Sequence, residues 1–264
     1  MALNQQKTVI VLGMARSGTS MTAGILHMMG VNMGSDIHCG GWNPRGDFED
    51  LEFRNLNFRI FDSLGAHFYQ NPPTITDIIQ TKHLFENEVR QLVKGKSSID
   101  RPWGWKDPLT CMTIEIILPH LTNPYFVCVS RNPEGIATSL QRHAKLDYEY
   151  AKSLANQYIH EIDSFKNRHP ELPFLDIEFE KIINSPIATA AALADFLKIN
   201  LADSSIAEIE TFILPRDRVG TEKRKAAIMG LLFFRAPRFI KKCINTPLNL
   251  PTHIKQLFRN NFRT

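Results

Sequence analysis

Cysteine is scarce in this chain, and the few residues present do not gather. Cys39, Cys111, Cys128 and Cys243 are scattered and form no CxxC pair. Neither a metal knuckle nor a disulfide framework is therefore expected, and the thiols read as free groups in a reducing compartment. Long apolar runs are missing too. The longest covers residues 226–234, nine residues including Gly230, whereas a spanning helix needs about 18 or more. The opening MALNQQKT shows neither a charged start nor an apolar stretch, so no secretory leader is read there and a cytoplasmic protein is expected. Internal repeats and low-complexity tracts are absent as well. Acidic charge is sparse only at one end. From Arg216 onward the net charge is +10, against −6 for the remainder, within a total of +4.

What is present is organised around KTVIVLGMARSGTSMTAGILHMM, residues 7–29. Residues 9–12 form a short, β-branched apolar run, as a buried parallel strand requires. The pattern then breaks into MARSGTS. From Thr19 the apolar residues Met21, Ile25, Met28 and Met29 recur near helical spacing. Strand, glycine-bounded loop and helix together present backbone N–H groups and a positive helix end to an anion. Gly13, Gly18 and Ser20 stand where a GxxxxGK[ST] phosphate loop has its glycines and last hydroxyl. The lysine of that loop is lacking: Thr19 holds its place, and the cation lies inside the loop as Arg16. A guanidinium fork suits a sulfate or phosphate group.

Further along, a glycine-rich stretch leads into NPRGDFED, residues 43–50, and a helix is predicted over 51–64. Thr76 reads as the N-cap of a helix over 77–93. RPWGWKDP reads as a short strand ending at Lys106, a turn, and a helix over 110–118. YFVCV, residues 125–129, is a second buried strand, followed by a turn and a helix over 134–143. A helix over 148–167, a strand over 173–177 and a proline-led helix over 187–197 complete the pattern. Strands alternating with helices predict an α/β fold with a central parallel sheet and helices on both faces. Ligands in such sheets lie at the carboxyl ends of the strands. The loops carrying Arg16, Lys106 and Arg131 would meet there. Trp103 and Trp105 read as packing residues.

GMARSGTS after a strand, WKDP in mid-chain and SRNPEGIATSLQR after a later strand together resemble the PAPS-dependent sulfotransferases. NPRGDFED and FLDIEFEKIINSPIATAAALADFLKI add lesser likenesses, and the resemblance covers roughly residues 7–200. It implies a P-loop NTPase-like sulfotransferase domain over residues 1–215, with 216–264 as a basic helical extension packed on it. It further implies 3'-phosphoadenosine 5'-phosphosulfate as donor, adenosine 3',5'-bisphosphate as product and no required metal. Arg16, Ser17, Gly18, Thr19 and Ser20 would form the 5'-phosphosulfate loop. Arg131 and Ser139 would grip the 3'-phosphate, and Lys106 would approach the transferred group. A metal-dependent kinase or NTPase is the rival reading; it would want the GK pair and an apolar strand ending in Asp, whereas YFVCV runs into Ser130 and Arg131. A non-catalytic nucleotide-binding relative is a second alternative.

An acceptor hydroxyl needs a base within hydrogen-bond reach. By resemblance Glu49 is the first candidate, with Asp50, Asp107 and His38 as rivals. The expected acceptor is a hydroxyl on a glycan, lipid or other cell-envelope molecule; no nucleic-acid partner is expected. In the tail, Leu231, Leu232, Phe233 and Phe234 lie between basic clusters. Such a segment suits a peripheral membrane contact, and equally suits completion of the domain's own core.

Overall fold

The computed structural model describes residues 6–34 and 46–213. His38, Cys39, Cys243 and the basic stretch 216–264 lie outside the described residues. The chain enters through β1 (Thr8–Leu12) and α1 (Thr19–Met28), then α2 (Leu51–Ser63), α3 (Ile75–Gln80) and α4 (Lys82–Lys96). It continues through β2 (Trp103–Lys106), α5 (Thr110–Ile117), a single 3₁₀ turn, β3 (Pro124–Ser130), α6 (Pro133–Ala144) and α7 (Tyr148–Arg168). It closes with β4 (Phe174–Glu178), α8 (Phe179–Asn184), α9 (Pro186–Leu197) and α10 (Asp203–Ile213).

The four strands form one parallel sheet in the order β2-β1-β3-β4. Both faces of the two central strands are covered, which is why their sequences are apolar without alternation. Ile10, Leu12, Phe126 and Cys128 pack under α2, α4, α5, α6 and α7 through Phe53, Val89, Ile114, Ile136 and Leu154. Val9, Val11, Val127 and Val129 pack under α1, α9 and α10 through Ala23, Leu193, Ile209 and Phe212. Each fully buried Leu, Ile or Phe contributes about 1.5–3 kcal/mol relative to exposure. Gly104 lets β2 approach β1: a Cβ there would lie 1.9 Å from the Val9 carbonyl oxygen.

The helix read over 77–93 with a Thr76 cap is two helices. The cap is Thr74, whose hydroxyl accepts from the Asp77 N–H at 3.1 Å while the Asp77 carboxylate accepts from the Thr74 N–H at 3.1 Å. That reciprocal box fixes the start two residues earlier. The break falls at Thr81, whose hydroxyl donates to the Ile78 carbonyl at 2.7 Å. The short α8 and α10, the last helix among the described residues, were not legible in the periodicity.

Because chain order reverses between β1 and β3, the helices that follow them, α1 and α6, lie on opposite faces of the sheet, and a crevice opens between the two connections. The loop after β1 and the turn after β3 border it, and the end of β2 lies beside them.

Candidate active site

Gly13 to Gly18 carry the chain from β1 into α1, and the loop is held by its own side chains. Buried Ser17 donates its hydroxyl and its N–H to the Met14 carbonyl at 2.7 Å and 3.1 Å. The Gly13 N–H donates to the Cys111 sulfur at 3.2 Å. Burial pushes that thiol up to about 12, so it stays neutral. Gly13 has no room for a side chain: a Cβ would meet Thr19 Cγ2 at 2.6 Å and the Val129 carbonyl oxygen at 2.7 Å. Gly18 caps α1 in the left-handed region, with φ of 103°. Arg16 shares that region at 72°, a conformation that costs a non-glycine residue about 1–2 kcal/mol. The opening N–H groups of α1, from Thr19 and Ser20, have no intrahelical acceptor and face the loop, as an anion cradle requires.

The turn after β3 closes over this loop. Arg131 donates from Nη1 to the Arg16 carbonyl at 2.9 Å and lies over the Phe179 ring at 4.0 Å from its centre. Gly135 makes room for it, since a Cβ there would sit 2.9 Å from Arg131 Nε. Phe179 in turn limits Gly18, where a Cβ would come within 2.9 Å of the ring. Arg16 donates from Nε to Ser139 Oγ on α6 at 2.9 Å. Burial lowers the Arg131 pKa; Glu180 opposes this, and the nearby Arg16 charge adds to it. Two guanidinium groups and a hydroxyl thus converge where a polyanion would gain most.

At the end of β2, Lys106 is buried and its Nζ donates to Glu49 Oε1 at 2.6 Å. Arg54 faces Glu49 Oε2 at 3.6 Å. Next door, Asp107 is wholly enclosed. It accepts from Asn57 Nδ2 at 2.8 Å and from the Leu109 N–H at 3.1 Å. Burial first, then the Glu49 charge, push its carboxyl up to about 7. The Tyr69 phenol is raised by burial, then lowered by Arg16 and raised by Glu49, so its hydroxyl lies within the fields of both loops. A cleft of about 490 Å³, lined in part by Lys7, Arg101 and Lys198, is at the opposite, amino end of the strands.

A family model for the sulfotransferase family matches residues 8–203. The chain belongs to that family. The sulfotransferase domain from the Synechococcus PCC 7002 olefin synthase superposes with a TM-score of 0.53 at 12% identity, over 89% of this chain and 97% of that one. At this identity the likeness speaks to the shared fold. Sulfotransferase STF1 from Mycobacterium tuberculosis H37Rv aligns with a TM-score of 0.46 at 14% identity, over 85% and 77%. Retinol dehydratase in complex with androsterone and inactive cofactor PAP aligns at 0.42 and 15%, over 95% and 84%. No curated protein matches the chain.

Within this sulfotransferase fold the residues singled out from the sequence take different stations. Arg16, Gly18, Thr19, Ser20, Arg131 and Ser139 gather at the crevice, whereas the Ser17 hydroxyl is spent on the loop's own shape. Glu49 and Lys106 are paired. Asp50 does not face them: it caps α2, accepting from the Glu52 N–H at 3.0 Å, and pairs with Lys96 at 2.6 Å. Asp107, enclosed by protein, is out of reach of an acceptor. Trp103 and Trp105 are core residues, stacked with Phe53. Sequence reading missed Arg54, Asn57, Tyr69, Cys111 and Phe179. Only Asn57 had a visible signal, a polar residue beside Leu56 on the apolar stripe of α2.

Proposed function

We propose that this chain moves a sulfuryl group from 3'-phosphoadenosine 5'-phosphosulfate to a hydroxyl of a glycan, lipid or other cell-envelope molecule, without a metal. The observation that supports this best is the convergence of Arg16, Arg131 and Ser139 on the loop at the head of α1, with the Lys106–Glu49 pair beside it. The residues fit the nucleotide. Gly13 and Gly18 let the loop close where a side chain would strike Thr19, the Val129 carbonyl and Phe179, and the two arginines supply positive charge beside it. Residues 16–20 would hold the 5' end, and Arg131 with Ser139 the 3'-phosphate.

The bound nucleotide supplies a sulfuryl group already attached to a good leaving group. The chain's own task is electrostatic and positional. Lys106 and the head of α1 present fixed positive charge where negative charge grows on the departing oxygen. Lys106 also holds Glu49 by Oε1, so that Oε2 is the oxygen to accept the acceptor's proton. The adjacent Arg54 limits how that carboxylate turns.

The test is transfer of label from ³⁵S-labelled donor to hydroxyl compounds and glycan extracts. Glu49→Gln should lower turnover on the order of 10²-fold or more while leaving adenosine 3',5'-bisphosphate affinity unchanged. Equal turnover of the variant and the parent removes Glu49 as base. A donor-binding protein that labels nothing across such extracts contradicts the transferase reading.

A further inference from the structure

One stripe of the α2 segment lies along the β2–α5 turn. Phe53 and Asn57, four residues apart on α2, share one face of the helix, and Glu49 lies one residue ahead of the helix cap. Each of the three meets a different residue of the segment from the end of β2 into α5. Glu49 takes Lys106 at 2.6 Å. Phe53 stacks on Trp105 with ring centres 3.9 Å apart and planes 3° from parallel. Asn57, fully buried, donates from Nδ2 to Asp107 Oδ2 at 2.8 Å and to Thr110 Oγ1 at 3.0 Å, and its Oδ1 accepts from Thr113 at 2.6 Å. Trp105 donates its indole N–H to the same Thr110 hydroxyl at 3.0 Å.

The middle contact is flat, and two parallel rings slide over one another at little cost. The Asn57 contacts are directional and saturated, and a buried amide that loses a partner is left desolvated with nothing in exchange. A leucine there would fill the space, as Leu56 and Ile60 do nearby, without fixing the helix along its length. Lys96 also holds the start of α2, but through Asp50 and Glu52, which ties it to α4 rather than to β2.

We propose that Asn57 is a positioning residue for sulfuryl transfer: it sets the register of α2 on the β2–α5 turn and thereby seats Glu49 against Lys106. This rests on the reading of Glu49 and Lys106 as the reacting pair.

Two variants of the full chain test it. Asn57→Leu removes the amide while keeping its branched heavy-atom outline, and Thr113→Val removes the donor to Asn57 Oδ1 with little change of shape. The primary readout is the ¹⁵N–¹H correlation of the Lys106 ammonium, which burial and the Glu49 ion pair protect from exchange. Glu49→Gln marks what loss of the pair looks like. Both variants should shift or lose the Lys106 signal toward that reference, and turnover should fall with it, while adenosine 3',5'-bisphosphate affinity stays unchanged. A folded Thr113→Val or Asn57→Leu protein with an unmoved Lys106 signal overturns the proposal, whatever its melting temperature. If the parent protein fails to bind the bisphosphate, the sulfotransfer reading falls instead, and the ammonium signal still decides the register claim.

Discussion

Asp107 is a carboxyl whose charge this fold opposes. Burial and the neighbouring Glu49 raise it from the ordinary 3.8 to about 7, against the hydrogen bonds from Asn57 and Leu109 and the attraction of Lys106. Between those two values the native protein keeps a proton that the unfolded chain has released. The resulting contribution to stability is complete below the ordinary carboxylate value and is lost as pH rises through about 7. Asp107→Asn cannot titrate there. Chemical denaturation of both proteins across this window should show the stability of the parent, relative to the variant, falling as pH rises and levelling off above it. A constant difference would mean that Asp107 is ionised throughout. By contrast Glu49, the base in the proposed transfer, keeps some exposure at 17%.

At the scale of elements, the cap of α3 offers a clean comparison. Thr74→Ala should cost about 1 kcal/mol, the usual value of a lost cap. Thr76→Ala, within the first turn, should cost much less, and equal costs in denaturant melts would contradict the capping box. Gly104→Ala should be worse than either. Its Cβ would press on the Val9 carbonyl, so a loss toward or beyond about 3 kcal/mol is expected, with the β1–β2 pairing the first structure to go. Elements with a strong period were legible in the sequence: the apolar runs of β1 and β3, the long α7, the proline-led α9. The division of residues 75–96 into two helices was not, because a threonine bonding back to its own turn looks like any other threonine. The short α8 follows β4 directly and leaves too little length for a period. The candidate site was legible as loops and charges. Its partnerships were not, since Arg16 with Ser139, Arg131 with Phe179 and Asn57 with Asp107 join segments far apart in sequence.

For the whole molecule, the sheet order decides where chemistry can occur. The reversal between β1 and β3 brings the head of α1 and the turn after β3 to one crevice, where Arg131 bonds the Arg16 carbonyl. The cleft at the amino ends of the strands gathers neither the anion loop nor the Lys106–Glu49 pair. The central claim is that the crevice holds a nucleotide with phosphate at its 3' position, gripped by Arg131 and Ser139, without a metal. Isothermal titration of the full chain with adenosine 3',5'-bisphosphate in the presence of a chelator tests it most directly, with a thermal melt alongside. Binding should persist without metal and stabilise the fold by about 2.7 kcal/mol at a hundred times Kd. Arg131→Ala should weaken the bisphosphate more than it weakens adenosine 5'-phosphosulfate. A larger stabilisation by ATP with magnesium than by the bisphosphate, or bisphosphate binding that Arg131→Ala leaves untouched, would contradict the account.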